Sequence, residues 1–518
     1  MLIVMYKILP TIACLILPLL MFAQGKNDYV WVMGYGGNDQ VNHFGGTQID
    51  FSSGSAKASF FPLPYHFGFD VPCSISDEEG RLQFYSNGCQ VFNADNEMLE
   101  NGDGLSPNEL NECDEPPYGF DGYQNMLILP RPGHSGRYVY IHHTIDRSYT
   151  LGSILYSEID MNANNGKGKV IEKNKTLRDF VALEGAMTSV RHGNGRDWWI
   201  VIPQEYYNIY NIYLLTPDTL MGPFAQNWEN HIAASPYKTG WNVVFSPDGR
   251  KFARVTLTWE EKSRYNRIFL YDFDRCSGTL CNPKVIKLVD PDAYASWATF
   301  SPNSRFLYVQ IAQNKLYQYD LQAPDIDASA QLIGEYDGFK DPKGFSAAFH
   351  AMALAPDNKI YMCTTSGTYF LHTIHSPDEL GLACDFQQHD LEIPTVKGDV
   401  MPNYPNYRLY DVSGSLCDTL GIDSPYPSVS DTASKPRVRL TPNPASLMVN
   451  VFLEGPPTSG RIRVFGMLGQ LVFEQDISGA INTTCFSVEN WASGTYVVAV
   501  EQPGLDRWTG KLVVVRIR

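Results

Sequence analysis

The chain has 518 residues, with 56 Asp and Glu against 40 Lys and Arg and a formal net charge of −16. At roughly 150 residues per domain there is room for about three domains, and an acidic balance without any basic block excludes a general nucleic-acid binder. Gly 42 and Pro 33, with 13% aromatic but only 19% charged residues, exclude helical bundles and disorder in favour of β structure with many turns.

At the start, Lys7 precedes an apolar run from Ile8 to Ala23, which is interrupted by Pro10 and Pro18 and closes on Ala23-Gln24-Gly25. Residues 1–25 read as a secretory signal peptide, since a membrane anchor needs about 20 apolar residues without such breaks. No later segment is long and apolar enough to span a bilayer, so the mature chain is expected to be exported and to lack a transmembrane segment.

Export permits disulfides. Ten cysteines, with Cys14 in the leader, leave an odd number, so at least one is unpaired. Cys276 and Cys281 flank the turn Ser277-Gly278-Thr279-Leu280 and are close enough for a local bridge, as are Cys73 with Cys89 and Cys363 with Cys384. The sequence leaves the connectivity open. No C-x-x-C pair marks a zinc site, and neither a metal nor a cofactor is expected.

Between residues 26 and 410 one loop pattern recurs. Its copies are Ile75-Ser76-Asp77-Glu78-Glu79-Gly80, Leu129-Pro130-Arg131-Pro132-Gly133, Val190-Arg191-His192-Gly193-Asn194-Gly195, Phe245-Ser246-Pro247-Asp248-Gly249, Phe300-Ser301-Pro302-Asn303-Ser304 and Leu354-Ala355-Pro356-Asp357-Asn358. Each precedes a β-rich run such as Trp198-Trp199-Ile200-Val201 or Phe306-Leu307-Tyr308-Val309. The copies recur roughly every 55 residues, enough for four strands, which is one propeller blade. The length from 26 to 410 predicts seven blades, with six or eight as alternatives; the seventh is expected to be assembled from both ends, Tyr29-Val30-Trp31-Val32-Met33 closing the ring against the strands of the last. The fold class expected is all-β: a seven-bladed β-propeller followed by a small C-terminal β-sandwich.

Residues 411–436 are rich in Ser, Asp, Pro and Thr and read as an exposed linker. Beyond them, short alternating runs from Met448 to Phe452, Arg461 to Phe465, Gly494 to Val500 and Lys511 to Val515 predict a β-sandwich over 437–518. Thr441-Pro442-Asn443-Pro444-Ala445, Gly469-Gln470-Leu471-Val472, Ser493-Gly494-Thr495-Tyr496 and then Lys511 follow one another in order. In this order the segment resembles the type A C-terminal sorting domain of the type IX secretion system. The resemblance makes Pro442, Asn443, Pro444, Gly469, Gln470, Gly494, Tyr496 and Lys511 the sorting motif. It implies that machinery as a partner, passage through the periplasm and across the outer membrane, and release or attachment at the surface, usually with removal of the domain.

The middle also resembles secreted, propeller-like proteins of gliding bacteria. The resemblance rests on Leu82-Gln83-Phe84-Tyr85-Ser86-Asn87-Gly88, Ile128-Leu129-Pro130-Arg131-Pro132-Gly133, Leu316-Tyr317-Gln318-Tyr319-Asp320-Leu321 and Met401-Pro402-Asn403-Tyr404. It implies architecture and location, and carries over no catalytic residue.

Within a propeller, the strand before each turn is innermost, and its beginning lies at one mouth of the channel. Positions four and six residues before the leading apolar residues bring Tyr123, Asn125, Glu184, Thr239, Trp241, Tyr294, Ser296 and His350 to that mouth. Positions two residues before them (Cys73, Leu127, Thr188, Val243, Ala298, Met352) are mostly apolar. Rings and polar tips on a concave rim suit a carbohydrate or peptide. No zincin, P-loop, EF-hand or serine-elbow pattern occurs, and His142-His143, adjacent on a strand, point to opposite faces and cannot chelate one metal. The expectation is a non-enzymatic binding or adhesion module for glycan or protein. The alternative is a secreted polysaccharide or peptide hydrolase or lyase using Glu184 with His350 or another rim group as acid and base; the ring position supplies only one of the two carboxylates a glycosidase wants.

Overall fold

The computed structural model describes residues 25–39, 43–64, 73–107, 124–145, 151–182, 186–204, 209–228, 238–260, 263–288, 296–415, 417–420, 422, 437–446, 448–454, 459–477, 483–503 and 507–516. All of the expected leader but Gly25 lies outside the described residues. Among them, seven antiparallel sheets precede the C-terminal region. The first is β1 (Val30–Asp39), β2 (Phe44–Asp50) and β3 (Lys57–Phe61), and the second β4 (Cys73–Ser76), β5 (Leu82–Ser86) and β6 (Val91–Asn93). The third is β7 (Leu127–Pro130), β8 (Arg137–Ile145), β9 (Leu151–Asp160) and β10 (Lys169–Ala182). The fourth is β11 (Thr188–Arg191), β12 (Trp198–Gln204), β13 (Ile209–Leu215) and β14 (Leu220–Asn227). The fifth is β15 (Lys238–Phe245), β16 (Lys251–Glu260), β17 (Ser263–Asp274) and β18 (Thr279–Leu288). The sixth is β19 (Ser296–Phe300), β20 (Phe306–Ile311), β21 (Lys315–Asp320) and β22 (Gln331–Glu335), and the seventh β23 (Phe349–Leu354), β24 (Ile360–Thr364), β25 (Phe370–Ile374) and β26 (Phe386–Glu392).

Each sheet is a meander, and in the second to seventh the recurrent loop joins the first two strands. The turn ends on a left-handed residue in every copy: Gly80, Gly133, Gly195, Gly249, Ser304 and Asn358 all have positive φ. This is why Gly or Asn recurs at the position. The copies share side-chain bonding as well as backbone. Ser246 Oγ accepts from Lys251 N at 2.9 Å and Asp248 Oδ1 from Arg250 N at 3.0 Å. In the next sheet Ser301 Oγ accepts from Phe306 N and Asn303 Oδ1 from Arg305 N, both at 2.9 Å.

Sheets buried on both faces pack on their neighbours through large rings. Phe61 meets Tyr85 edge-on at 5.4 Å and Phe84 meets Tyr138 at 5.2 Å, while Ile141 shares a core with Trp198 and Ile200. Tyr210 packs on Phe252 at 5.6 Å, Ala253 and Ile268 share a core with Phe300 and Leu307, and Trp297 Nε1 donates to Met352 O at 2.9 Å. Finally Trp31 of β1 lies edge-on to Tyr361 of β24 at 6.1 Å, so the last sheet packs on the first and the architecture is a closed β-propeller. One expectation is corrected. The last blade is not assembled from both chain ends, because β23 to β26 already provide four paired strands, and β1 pairs with β2 in a sheet of its own. The ends meet instead through packing and hydrogen bonds, among them Val396 N to His43 O at 2.8 Å and Thr47 Oγ1 to Thr395 Oγ1 at 2.8 Å.

The C-terminal region forms two sheets, one of β27 (Arg437–Thr441), β28 (Met448–Glu454) and β31 (Thr483–Ser487), the other of β30 (Leu471–Ile477), β29 (Gly460–Gly466), β32 (Gly494–Glu501) and β33 (Trp508–Val514). Val449, Val451, Ile462, Val464, Val498 and Leu512 fill the space between them, making the expected sandwich.

The cysteines pair differently from the local expectation. Cys276 bonds to Cys417 and Cys281 to Cys485, with Cα separations of 5.6 and 5.7 Å. The Cys276–Cys281 bridge is therefore corrected: Cys276 lies in the β17–β18 turn beside Gly193 and Ser415, whereas Cys281, within β18, is buried in a hydrophobic core with Tyr271 and Leu280. Cys73 is free and Cys89 is disulfide-bonded, and Cys363 and Cys384 are both free and buried, so neither of the other two local pairs forms. The start of the stretch read as an exposed linker is likewise anchored, through Cys417 and through Val412 N to Gly193 O at 2.8 Å.

Candidate functional site

The axis of the ring is occupied by the chain itself. Met401-Pro402-Asn403-Tyr404-Pro405-Asn406-Tyr407-Arg408-Leu409-Tyr410 follows the last sheet, and its two prolines, lacking N–H groups, cannot extend a ladder. Its side chains bond instead to the strands around the axis. Asn403 Nδ2 donates to Met126 O (3.1 Å) and Met187 O (2.9 Å), and Gln124 Nε2 reaches Asn403 Oδ1 at 3.4 Å. The Tyr404 hydroxyl lies 2.6 Å from Ser74 Oγ, Asn406 Nδ2 donates to Pro247 O at 2.7 Å, and the Tyr407 hydroxyl donates to Ile128 O at 2.9 Å. Arg408 clamps the buried Asp28 carboxylate, Nη2 to Oδ2 at 2.9 Å. The segment thus ties together residues from five of the seven sheets or their flanks. A cavity of about 230 Å³ remains beside it, lined among others by Thr188, Asn242, Thr299, Asn403 and Asn406.

A larger cavity, about 800 Å³, opens at the turn side, the end of the ring opposite the predicted mouth. Its walls are the turns Asp77–Arg81, Pro130–Arg137 and Arg191–Arg196 together with Tyr407–Tyr410. Charges here are mostly paired: Arg81 with Asp77 at 2.8 Å, Arg131 with Glu158 at 3.0 Å, Arg137 with Asp160 at 3.1 Å and Arg196 with Asp197 at 2.7 Å. Arg191 stands over the Trp198 ring at 4.1 Å and donates to Arg196 O at 2.9 Å. Arg275 donates to Arg191 O at 2.8 Å, to His192 O at 3.2 Å and to Tyr410 O. Burial pushes the guanidinium of Arg191 down to about 10; burial and the charge of Arg191 push that of Arg275 to about 9. Carbonyl acceptors offset part of that desolvation, so the two arginines act as struts for the end of the axial segment.

Of the predicted mouth residues, Tyr123, Glu184 and Tyr294 lie outside the described residues. Thr239, Trp241 and Ser296 lie on β15 and β19 as expected, but their side chains lie outside the description. Asn125 is buried beside Gln124 and Met126, next to the axial segment. His350 is buried at 6% exposure; its Nδ1 donates to the Asp399 carbonyl at 2.6 Å, and its ring lies 6.4 Å from Trp297. Burial lowers its pKa, so the ring is neutral with the proton on Nδ1. His142 bridges Ser106 Oγ and Ser157 Oγ at 2.7 and 2.9 Å, on the opposite strand face from His143, and burial pushes both down to about 3. Among the described residues, no cluster of three or more His, Cys, Asp or Glu could hold a metal ion.

Trp198 and Trp199 are neighbours at the start of β12. Both are buried, on opposite faces of β12 and in different inter-sheet cores. Sequence reasoning missed the axial segment. Its signal was the loss of alternation, with Asn and Tyr interleaved between two prolines after the last regular strand.

In the sandwich, Asn443 Nδ2 donates to Lys511 O at 2.7 Å and Asn443 Oδ1 accepts from Val513 N at 2.9 Å. The Tyr496 hydroxyl donates to Ala492 O at 2.8 Å, and Gly469 turns β29 into β30 at positive φ. The Asn443 contacts seat the entry of the domain on its last strand.

These features define a propeller with a terminal β-sandwich. Residues 439–515 match the family described as the secretion system C-terminal sorting domain. The protein is a type IX secretion cargo, exported to the cell surface or beyond. No curated protein matches the chain. Among solved structures it is similar to the Dos1 propeller (11% identity, 72% of this chain and 86% of that one, TM-score 0.37). It is also similar to the Cps50 (Swd1) β-propeller domain of Myceliophteria thermophila (10%, 76% and 98%, 0.29) and the Nup133 β-propeller domain of Vanderwaltozyma polyspora (11%, 43% and 68%, 0.29).

Proposed function

We propose that the propeller is a non-enzymatic binding module, presenting a rigid ring to a glycan or protein at or beyond the cell surface. The observation that carries this reading is the axial segment. By bonding to residues in or flanking five sheets, Asn403 to Arg408 stiffen the ring from within, and a pre-organised surface loses little entropy on binding.

Two faces are available to a ligand, the predicted mouth around Trp241 and the turn-side cavity around Tyr410. Substitution separates them. Trp241→Ala is expected to reduce retention on an immobilised polysaccharide or peptide at least tenfold while Arg81→Ala leaves it within twofold. The reverse pattern moves the site to the turn side, and turnover abolished by Glu184→Gln with binding retained overturns the non-enzymatic reading.

A further inference from the structure

We propose that the fifth sheet carries a built docking surface for the sandwich, locked by Cys281–Cys485, so that the sandwich stays attached to the propeller after the linker is cut. The β17–β18 hairpin supplies both halves of a double anchor. From its turn, Cys276 holds Cys417 at the start of the linker; from β18, Cys281 holds Cys485 on β31 of the sandwich. A cut anywhere in 423–436 falls after the first anchor and before the second, so only the second joins the two products.

The surface around that bridge is shaped for its occupant. Cys485 is buried in the same core as Tyr271, Phe273 and Leu280, and its sulfur lies 3.2 Å from the Leu280 carbonyl. Met448 of β28 packs against that core, and the hydroxyl of Ser459 donates to Gly414 O from the other side of the linker. Gln226 fixes the hairpin that bears both cysteines, donating to Gly278 O at 2.8 Å and accepting from Leu280 N at 2.9 Å. Packing is incomplete, however. A cavity of about 490 Å³ lies between Trp228 on the propeller side and Met448, Phe473 and Phe486 of the sandwich. Unfilled apolar surface contributes little to association, so the covalent bond is what makes the attachment durable. Each bridge forms when two thiols lose two protons and two electrons to a disulfide oxidant of the exported compartment, and a dithiol reductant returns them.

The test uses the secreted full-length chain with a site-specific protease site inserted after Ser430. After cutting, non-reducing electrophoresis is expected to show one band, and dithiothreitol to resolve it into two. Cys276→Ser/Cys417→Ser should still give one non-reduced band, because the second anchor survives, whereas Cys281→Ser/Cys485→Ser should give two. Free fragments from the unsubstituted chain without reductant would overturn the proposal. Mass spectrometry of a non-reduced digest guards against a variant that fails to fold: the Cys281–Cys485 cross-linked peptide is expected, and Cys281–Cys276 would equally overturn it. Since the test cuts an introduced site, its outcome does not depend on what the propeller binds.

Discussion

Asp28 and Arg408 stand 380 residues apart in sequence and form a two-pronged ion pair across the base of the ring, with the Asp28 side chain only 4% exposed. The pair joins a residue two positions before β1 to one near the end of the axial segment, so both ends of the propeller are pinned at one point. Removing one partner of a buried pair leaves an uncompensated charge. Arg408→Ala is expected to lower ring stability by about 3 kcal/mol, read as a shift in the urea unfolding midpoint. A shift below about 0.5 kcal/mol would mean that the closure rests on packing alone.

The axial segment itself is tested by Asn403→Ala. The substitution strips the Met126 and Met187 carbonyls of a donor, at a cost of about 2 kcal/mol where no water replaces it. Hydrogen exchange of β7 and β11 should rise with it, whereas a change confined to residues 401–410 would show that the segment does not brace the ring.

The left-handed turn position offers a matched pair. At Gly249, with φ at +70°, a Cβ would meet Arg275 Cδ at 2.7 Å, and Gly249→Ala should destabilise by about 1–2 kcal/mol. Asn358→Gly at the equivalent turn removes no contact that the turn needs and should stay within about 0.5 kcal/mol. Equal costs at the two sites would argue against a shared turn geometry.

Acid should weaken the fold through its buried histidines. His142 and His143 sit at about 3 and His372 at about 4 in the folded chain, against an ordinary 6.5, with burial the leading cause in each case. The unfolded chain therefore takes up protons that the folded one refuses. Stability is complete above about pH 6.5 and falls as pH drops from there toward 3 or 4. His143→Leu should flatten the slope between pH 6 and 4.5 by about 1.4 kcal/mol per pH unit; an unchanged slope would place the proton uptake elsewhere.

Sorting is tested by removing residues 437–518. The truncated chain should accumulate in the periplasm, as measured by fractionation, and normal surface delivery would contradict the assignment of the sandwich.

The recurrent turn made the propeller legible, because a tight reversal needs a left-handed residue and so leaves Gly, Asn or Ser at a fixed place before an alternating strand. The sandwich was legible for the same reason, with Asn443 and Tyr496 each tied to a specific backbone partner. Three things were not. The pairing of Cys281 with Cys485 spans 204 residues, and the strand context that points the two side chains at each other is invisible along the chain. The axial role of Asn403 to Arg408 comes from contacts to many strands, none near in sequence. The predicted mouth followed from strand direction alone, which sets where Asn125 and His350 lie but not that Met126 and Asp399 beside them are already bonded to or by the chain's own polar groups.

The binding reading is tested most directly by incubating the secreted protein with a panel of polysaccharides and peptides, measuring retention and product release in the same wells. Retention on at least one of them with no product is the predicted result; release of product from any well, lost on Glu184→Gln, would contradict it.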